Sequence, residues 1–266
     1  TVFMHSGLAV GMFMSMATML CGWLVVTRYR RSVLGIPVVL LLPVMLVTAV
    51  LVKAIGATIL GLAGFGALLF DRQLRFPLAA CAMIAGVPTY IGLRATGVWH
   101  GEPITTVAEQ LAPDRAQSFA YRLGNEDLLA DKALQQPLFG WGGWSRARVF
   151  DENGKDIAPT DGHWIILLGN RGIYGLTGYF GFLLLPPLVY LWRAGRPKGW
   201  RRSPEVAASA GLAIVVILYA CDCLPNAMYN PLWLMMAGGL ANVAALKRVT
   251  SAPAQVAMAG GVPGGA

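Results

Sequence analysis

The sequence contains seven predominantly apolar runs, each near the length that a helix needs to cross a lipid bilayer. Crossing takes about 20 apolar residues, because the hydrocarbon core is about 30 Å thick. The predicted spans are 7–27, 33–52, 54–70, 76–93, 164–192, 206–224 and 231–246. Of the 266 residues, 56% are hydrophobic and 13% are charged, whereas about a quarter are charged in a soluble domain. We therefore expect an all-α integral membrane protein of about seven transmembrane helices.

The lysines and arginines between the runs alternate in position along the chain. Twelve of the 21 follow the first, third, fifth and seventh runs, where the only acids are Asp71 and Glu205. Because cations are retained in cytoplasmic connections, we expect these connections in the cytoplasm. This spread of the +8 net charge argues against a nucleic-acid partner, which requires cations clustered on one polar face.

One long polar stretch, residues 94–163, separates the fourth run from the fifth and holds ten of the 13 acids. We expect a large, water-exposed and partly helical loop on the non-cytoplasmic side, with helical spacing over 115–135 and a turn at Pro137–Gly143. Long ordered loops are commonly functional. The predicted organisation is four transmembrane helices in 1–93, the loop at 94–163, three transmembrane helices in 164–248 and a disordered cytoplasmic tail at 249–266.

His163 stands where this loop meets the fifth run. If a helix begins there, His163, Asn170 and Arg171 lie on one face, because residues at i, i+7 and i+8 align. A histidine in this place fits a general base, and it fits equally a hydrogen-bonded residue at a helix start.

Cations on the same side suit phosphate, because a guanidinium donates two parallel hydrogen bonds and stays charged. Arg122 could serve in this way or could form a loop salt bridge with a nearby carboxylate. In the last external connection, Asp222 could face a cleft at the membrane edge, or the connection could only cap helices around its prolines.

Glycines recur at every third position from Gly169 to Gly181. Small residues allow helix backbones to approach closely in lipid, so this stripe predicts a packing seam between helices. A groove for a substrate lipid is the alternative interpretation.

Several of these segments together resemble the bacterial O-antigen ligase and O-antigen polymerase family. The resemblance covers the chain up to about residue 246. It rests on Gln136-Pro137-Leu138-Phe139-Gly140-Trp141-Gly142, on Asp161-Gly162-His163-Trp164, on Leu168-Gly169-Asn170-Arg171-Gly172-Ile173-Tyr174-Gly175-Leu176, and more loosely on Lys53-Ala54-Ile55-Gly56-Ala57 and Phe3-Met4-His5-Ser6-Gly7-Leu8-Ala9. Family members have about ten to twelve spans, so this chain is expected to be the C-terminal part of a longer protein.

The resemblance implies a glycosyltransferase of the bacterial inner membrane, with its active face in the periplasm. Its donor would be a glycan on undecaprenyl pyrophosphate, and its acceptor a hydroxyl of another glycan, of lipid A core or of a protein; its other partners would be membrane lipids. His163 would be the general base, Arg122, Lys53 and Arg171 would bind the pyrophosphate, and Asp161, Asp222 and Tyr229 would contact the glycan.

The transfer implied would invert the anomeric centre and would need no cofactor, because a diphosphate is already a good leaving group. Asp161 and His163 could bind a divalent metal, but two ligands are too few to predict a site. A transporter or flippase for an anionic lipid-linked glycan or solute is the main alternative, and a structural subunit of an envelope complex is the third.

Overall fold

The secondary structure of the protein is mostly helical. The computed structural model describes residues 4, 6–29, 32–101, 105–106, 110, 113–143, 145–193, 197–201 and 203–250. His5 and residues 251–266, most of the predicted tail, lie outside the described residues.

The helices alternate with short connections, apart from the stretches 96–112 and 134–162. The elements are α1 Gly7–Thr27, β1 Ser32–Val33, β2 Ile36–Pro37, α2 Val38–Leu51, α3 Ile55–Gln73, α4 Leu78–Ala95, α5 Pro113–Ala133, α6 His163–Arg193, α7 Pro197–Trp200, α8 Pro204–Asp222 and α9 Pro231–Thr250. The two strands form an antiparallel hairpin before α2.

Five helices in the described part of the chain are long and apolar enough to cross a membrane: α1, α3, α4, α6 and α8. The runs at 33–52 and 231–246 give shorter apolar helices. The first loses residues to the hairpin, so α2 has 14 residues, and the apolar part of α9 is Pro231–Ala245. The sequence therefore predicts the positions of the apolar helices better than their lengths.

The outer surface of the helices is apolar, as lipid contact requires. On α2, Val39, Leu40, Val44 and Val50 are each more than 60% exposed. A soluble protein rarely exposes so large a continuous apolar surface, and these side chains match the hydrocarbon of a bilayer.

Helix α8 lies at the centre and packs against α1, α3, α4, α6, α7 and α9. Its residues from Ala213 to Ala220 are essentially inaccessible to solvent. Polar side chains of neighbouring helices bind its backbone: Trp23 donates to the Ala207 carbonyl (2.7 Å) and Tyr190 to the Val206 carbonyl (2.8 Å). These bonds position α8 and thus the end of α8 at which Asp222 lies.

The predicted helix at 115–135 is confirmed as α5, which packs against α4 and α6. The end of α4, the start of α6 and the end of α8 lie at the same end of the molecule, beside α5. The sequence-predicted site residues gather at this end.

Candidate functional site

The apolar run predicted at 164–192 forms α6, and this helix breaks at Gly172. This glycine has φ 63° and ψ −166°, a conformation that is essentially restricted to glycine. His163 and Tyr179 are sixteen residues apart, which in an unbroken helix would separate them by about 24 Å. Their ring centroids are 4.7 Å apart, so the half-helix 163–171 folds back against the helix that follows.

The turn at 137–142 holds this break. Four backbone hydrogen bonds join the two segments: Ile173 N to Pro137 O (2.7 Å), Tyr174 N to Leu138 O (3.2 Å), Trp141 N to Gly169 O (2.8 Å) and Gly142 N to Asn170 O (2.9 Å). A broken helix leaves N–H and C=O groups without partners inside the helix, and the turn supplies partners for four of them. The two motifs recognised separately in the sequence therefore form one structural unit.

Glycine is required on both sides of this contact. A Cβ atom at Gly172 would overlap the backbone of Leu138, and one at Gly140 would lie 2.6 Å from the Arg171 nitrogen. In this half of the stripe, Gly172 packs against the 137–142 turn and Gly169 against Ala147. Gly178 has open space around its Cβ position.

His163 begins the half-helix at the end of α8. Its backbone N–H donates to the Cys223 carbonyl (3.0 Å), and its ring meets Tyr179 edge to face. Its Nε2 atom is buried and, in the described part of the chain, stands alone among buried side-chain nitrogens and oxygens in having no hydrogen-bond partner. Buried polar atoms nearly always have a hydrogen-bond partner. This nitrogen is therefore a candidate group for receiving a proton or a hydrogen bond from a ligand.

Behind His163, a row of aromatic side chains continues toward α9. The Tyr179 and Tyr219 hydroxyls are 3.0 Å apart, and the Tyr219 hydroxyl donates to the Met228 carbonyl (3.2 Å). Tyr219 also stacks on Trp233 with ring centroids 5.0 Å apart. These contacts fix the rings against which the His163 imidazole lies.

Sequence reasoning missed a buried cluster around Glu126 on α5. Its carboxylate accepts hydrogen bonds from Trp164 (3.2 Å) and Tyr90 (3.0 Å) and forms an ion pair with Arg94 (3.4 Å). Burial raises the pKa of Glu126, while the bonds from Trp164, Arg94 and Tyr90 oppose that rise. The cluster joins α4, α5 and α6 and thereby holds Trp164, the neighbour of His163.

The signal for this cluster was present in the sequence at Arg94. A cation at the end of an apolar run needs a partner, and Arg94 is only 1% exposed. It also pairs with Asp127 (2.8 Å) and donates to the Leu123 carbonyl (2.6 Å). The sequence could indicate that a partner exists, but not which carboxylate of the loop it would be.

Arg122 forms an ion pair with Asp161, two residues before His163, at 3.3 Å. The salt bridge considered in the sequence thus exists, but both side chains are substantially exposed, at 42% and 64%. Exposed pairs contribute little to stability, so an incoming phosphate can compete for this guanidinium. Arg122 and Asp161 are accordingly brought next to the candidate base.

Arg171 and Lys53 form no ion pair with any described residue. Arg171 is the last residue of the half-helix and is exposed. Its side chain contacts Gly175, where a Cβ atom would overlap the aliphatic part of the Arg171 side chain. Lys53 lies in the α2–α3 connection with φ 56°, and its neighbour Ala54 contacts α1 at Gly11. Among the described residues, no hydrogen bond or ion pair joins Lys53 to His163.

Asp222 is buried at the end of α8 and accepts a hydrogen bond from Asn226 (2.8 Å). It lines a small cavity with Tyr219, Met228 and Asn230, whereas Tyr229 is 55% exposed. Of the two, Tyr229 is the one that a large ligand can reach directly.

Two further concave features are larger than this cavity. A polar cavity of about 200 Å³ lies between the 145–160 segment and the half-helix, lined by Ser145, Arg148, Thr160, Asn170 and apolar neighbours. An apolar groove of about 280 Å³ lies between α1, α2 and α3, below the Lys53 connection. The first suits a sugar, and the second suits a hydrocarbon chain.

Together these features provide a candidate proton acceptor at His163, exposed cations at Arg122 and Arg171, and separate polar and apolar cavities. Comparisons of the chain with protein-family models, with curated proteins and with solved structures found no match.

Proposed function

We propose that this chain transfers a glycan from a polyprenyl-pyrophosphate carrier to a hydroxyl acceptor, as an O-antigen ligase or polymerase does. The observation that carries the proposal is the unpartnered, buried Nε2 of His163 beside the exposed Arg122–Asp161 pair. A base and a phosphate-binding cation in one place are what this reaction needs.

In the proposed reaction, the acceptor hydroxyl gives its proton to His163 Nε2 while its oxygen forms a bond to the anomeric carbon. The bond from that carbon to the pyrophosphate oxygen breaks, and the pyrophosphate leaves with the electron pair. Attack opposite the leaving group inverts the anomeric centre. General base catalysis of this kind contributes on the order of 100-fold to 10,000-fold.

Arg122 and Arg171 are the proposed ligands of the pyrophosphate. The ion pair between Asp161 and Arg122 is exposed, and Arg171 is exposed as well, so both guanidinium groups are accessible. Each would stabilise the charge that develops on the diphosphate, a contribution of roughly 3 kcal/mol per donor. Lys53, at the outer end of the apolar groove, would attract the same diphosphate while the polyprenyl chain occupies the groove.

The polar cavity is the proposed glycan subsite. Asn170 lines it and shares a face of the half-helix with His163, at i+7, so a sugar bound there would approach the base. Asp161 and Tyr229 would contact sugar hydroxyls at its margin, while buried Asp222 would order the connection that carries Tyr229.

The proposed topology has seven spans, with α2 and α9 completing the five long helices. The alternating cations would place the site at the periplasmic face of a bacterial inner membrane. The carrier would then enter from the outer leaflet, where its polyprenyl chain can reach the groove laterally.

The test is glycan transfer in membrane vesicles by the full-length protein, with variants at matched expression. We expect His163→Ala to lower transfer on the order of 100-fold or more, and Arg122→Ala to lower it by about 100-fold. The matched controls are His100→Ala and Arg146→Ala, which remove the same side chains from exposed positions of the same loop. Full transfer by both site variants would overturn the mechanism.

A transporter for an anionic lipid-linked glycan is a second candidate, because helices broken near the substrate are typical of transporters, and α6 is broken at Gly172. The same vesicles distinguish the two functions. Movement of labelled carrier lipid between leaflets, without any new glycosidic bond, would favour transport.

A further inference from the structure

A second charged cavity lies at the opposite end of the molecule, where α3 ends and α7 follows α6. It has a volume of about 400 Å³, and its lining residues are Arg72, Gln73, Leu74, Arg75, Lys198 and Arg201. Four of the six are cations, contributed by two segments of the chain that are far apart in the sequence. We refer to this cavity as the basic pocket.

The four cations lack a carboxylate partner in the part of the chain that the structure describes. None of them takes part in an ion pair among the described residues. Two acids are near these cations in the sequence. Glu205 accepts a hydrogen bond from the Ser203 hydroxyl (2.7 Å) at the start of α8. Asp71 is fully buried and accepts hydrogen bonds from the Ala79 and Ala80 N–H groups (2.8 and 3.0 Å). Asp71 therefore caps the start of α4, and the ion pairs of the described residues do not neutralise the four cations.

The pocket is held in shape by contacts that do not neutralise it. Arg201 donates to the Arg72 carbonyl (3.1 Å) and to the Gln73 side chain. The Arg72 guanidinium lies 6.0 Å from the Trp23 ring, and Trp23 meets Trp200 edge to face at 5.9 Å. These contacts anchor α7 to α1 and α3 and hold Arg72 and Arg201 at the pocket, which Arg75 and Lys198 line from exposed positions.

The pocket also lies at the edge of the apolar surface. Phe70, Phe76 and Leu78, on the adjoining turns of α3 and α4, are each more than half exposed. Orientation in the membrane requires cations at this end, but it does not require them to converge, unpaired, on one cavity. Basic pockets between helices at the cytoplasmic surface bind lipid head groups.

We propose that the basic pocket binds the phosphate of an anionic phospholipid head group, whose acyl chains lie against Phe70, Phe76 and Leu78. A phosphate bound there has donors from both segments, and a guanidinium can donate two parallel hydrogen bonds to it. The site is independent of the proposed transferase site, which lies at the other end of the helices.

The test is native mass spectrometry of the full chain purified in detergent, titrated with phosphatidylglycerol or with phosphatidylcholine. The pocket variant is Arg75→Gln/Lys198→Gln, because neither side chain supports the backbone contacts above. The matched control is Arg28→Gln/Arg193→Gln, which removes two exposed cations from the same end outside the basic pocket. Arg75→Lys/Lys198→Arg keeps the charge.

We expect the wild type to retain phosphatidylglycerol in preference to phosphatidylcholine, and the pocket variant to bind it about 30-fold more weakly. The control and the charge-conserving variant should bind like the wild type. An equal loss in the pocket variant and the control, or no loss in either, would overturn the site. Displacement of the lipid by excess inorganic phosphate would assign the pocket to a soluble phosphate instead.

Discussion

A Cβ atom at Gly172 would overlap the carbonyl group of Leu138. The break in α6 and the turn that follows α5 can therefore touch only where one of them has no side chain. This contact couples the 137–142 turn to α6, and it brings His163 back against Tyr179.

The first prediction concerns this contact. Gly172→Ala should destabilise the protein by about 3 kcal/mol, because alanine is strained at φ 63° and its methyl group has no space. Thermal unfolding of the purified protein in detergent measures the effect. Gly178→Ala is the control, since its Cβ position is open and alanine favours a helix over glycine. Equal melting temperatures for the two variants would contradict the proposed role of the break.

The second prediction compares a buried ion pair with an exposed one. Arg94→Met leaves Glu126 without its cation in a buried site, which should cost about 3 to 5 kcal/mol of unfolding free energy. Arg122→Met breaks the exposed pair with Asp161, for which about 0 to 1 kcal/mol is expected. Denaturation of the two variants under identical conditions tests the difference. Similar losses of unfolding free energy would show that burial does not determine how much each ion pair contributes.

The third prediction concerns pH. Burial raises the pKa of Glu126 in the folded protein, so the folded state binds this proton more tightly than the unfolded state. Its favourable contribution is complete below the unfolded pKa and is lost as pH rises through the folded pKa. The wild type should therefore gain stability relative to Glu126→Gln as pH falls.

Melting temperatures of both proteins over a series of pH values measure this change. Asp131→Asn, at an exposed position of the same helix, is the matched control and should change the pH dependence less. A difference between wild type and Glu126→Gln that stays constant with pH would contradict the prediction.

The fourth prediction concerns the apolar groove and depends on the proposed function. Leu46→Trp should fill the groove, since Leu46 lines it, and should raise KM for a long-chain carrier on the order of tenfold, equivalent to about 1.4 kcal/mol. KM for a carrier with a short polyprenyl chain should not change. Leu40→Trp, on the exposed surface of the same helix, should affect neither, and an equal rise with both carriers would exclude the groove as the tail site.

The sequence by itself determined the class of fold and the places where polar residues meet the membrane helices. Hydropathy located the apolar helices, helical spacing located α5, and glycine and proline marked the turn at 137–142. These are local properties, because the chemistry of about twenty consecutive residues decides whether they form a helix in lipid. His163 could be recognised for the same reason, as the polar residue at the start of an apolar run.

Tertiary structure decided which of these segments contact one another and which groups they supply as hydrogen-bond or ion-pair partners. Hydropathy predicts a single apolar run over 164–192. Only contact with the 137–142 turn supplies hydrogen-bond partners for the backbone groups that the break at Gly172 exposes. In the same way, Arg94 requires a partner, but the folded chain selects Glu126. A hydrogen bond or an ion pair between distant segments depends on distances that only the folded chain establishes. The periodicity of the sequence does not encode these distances.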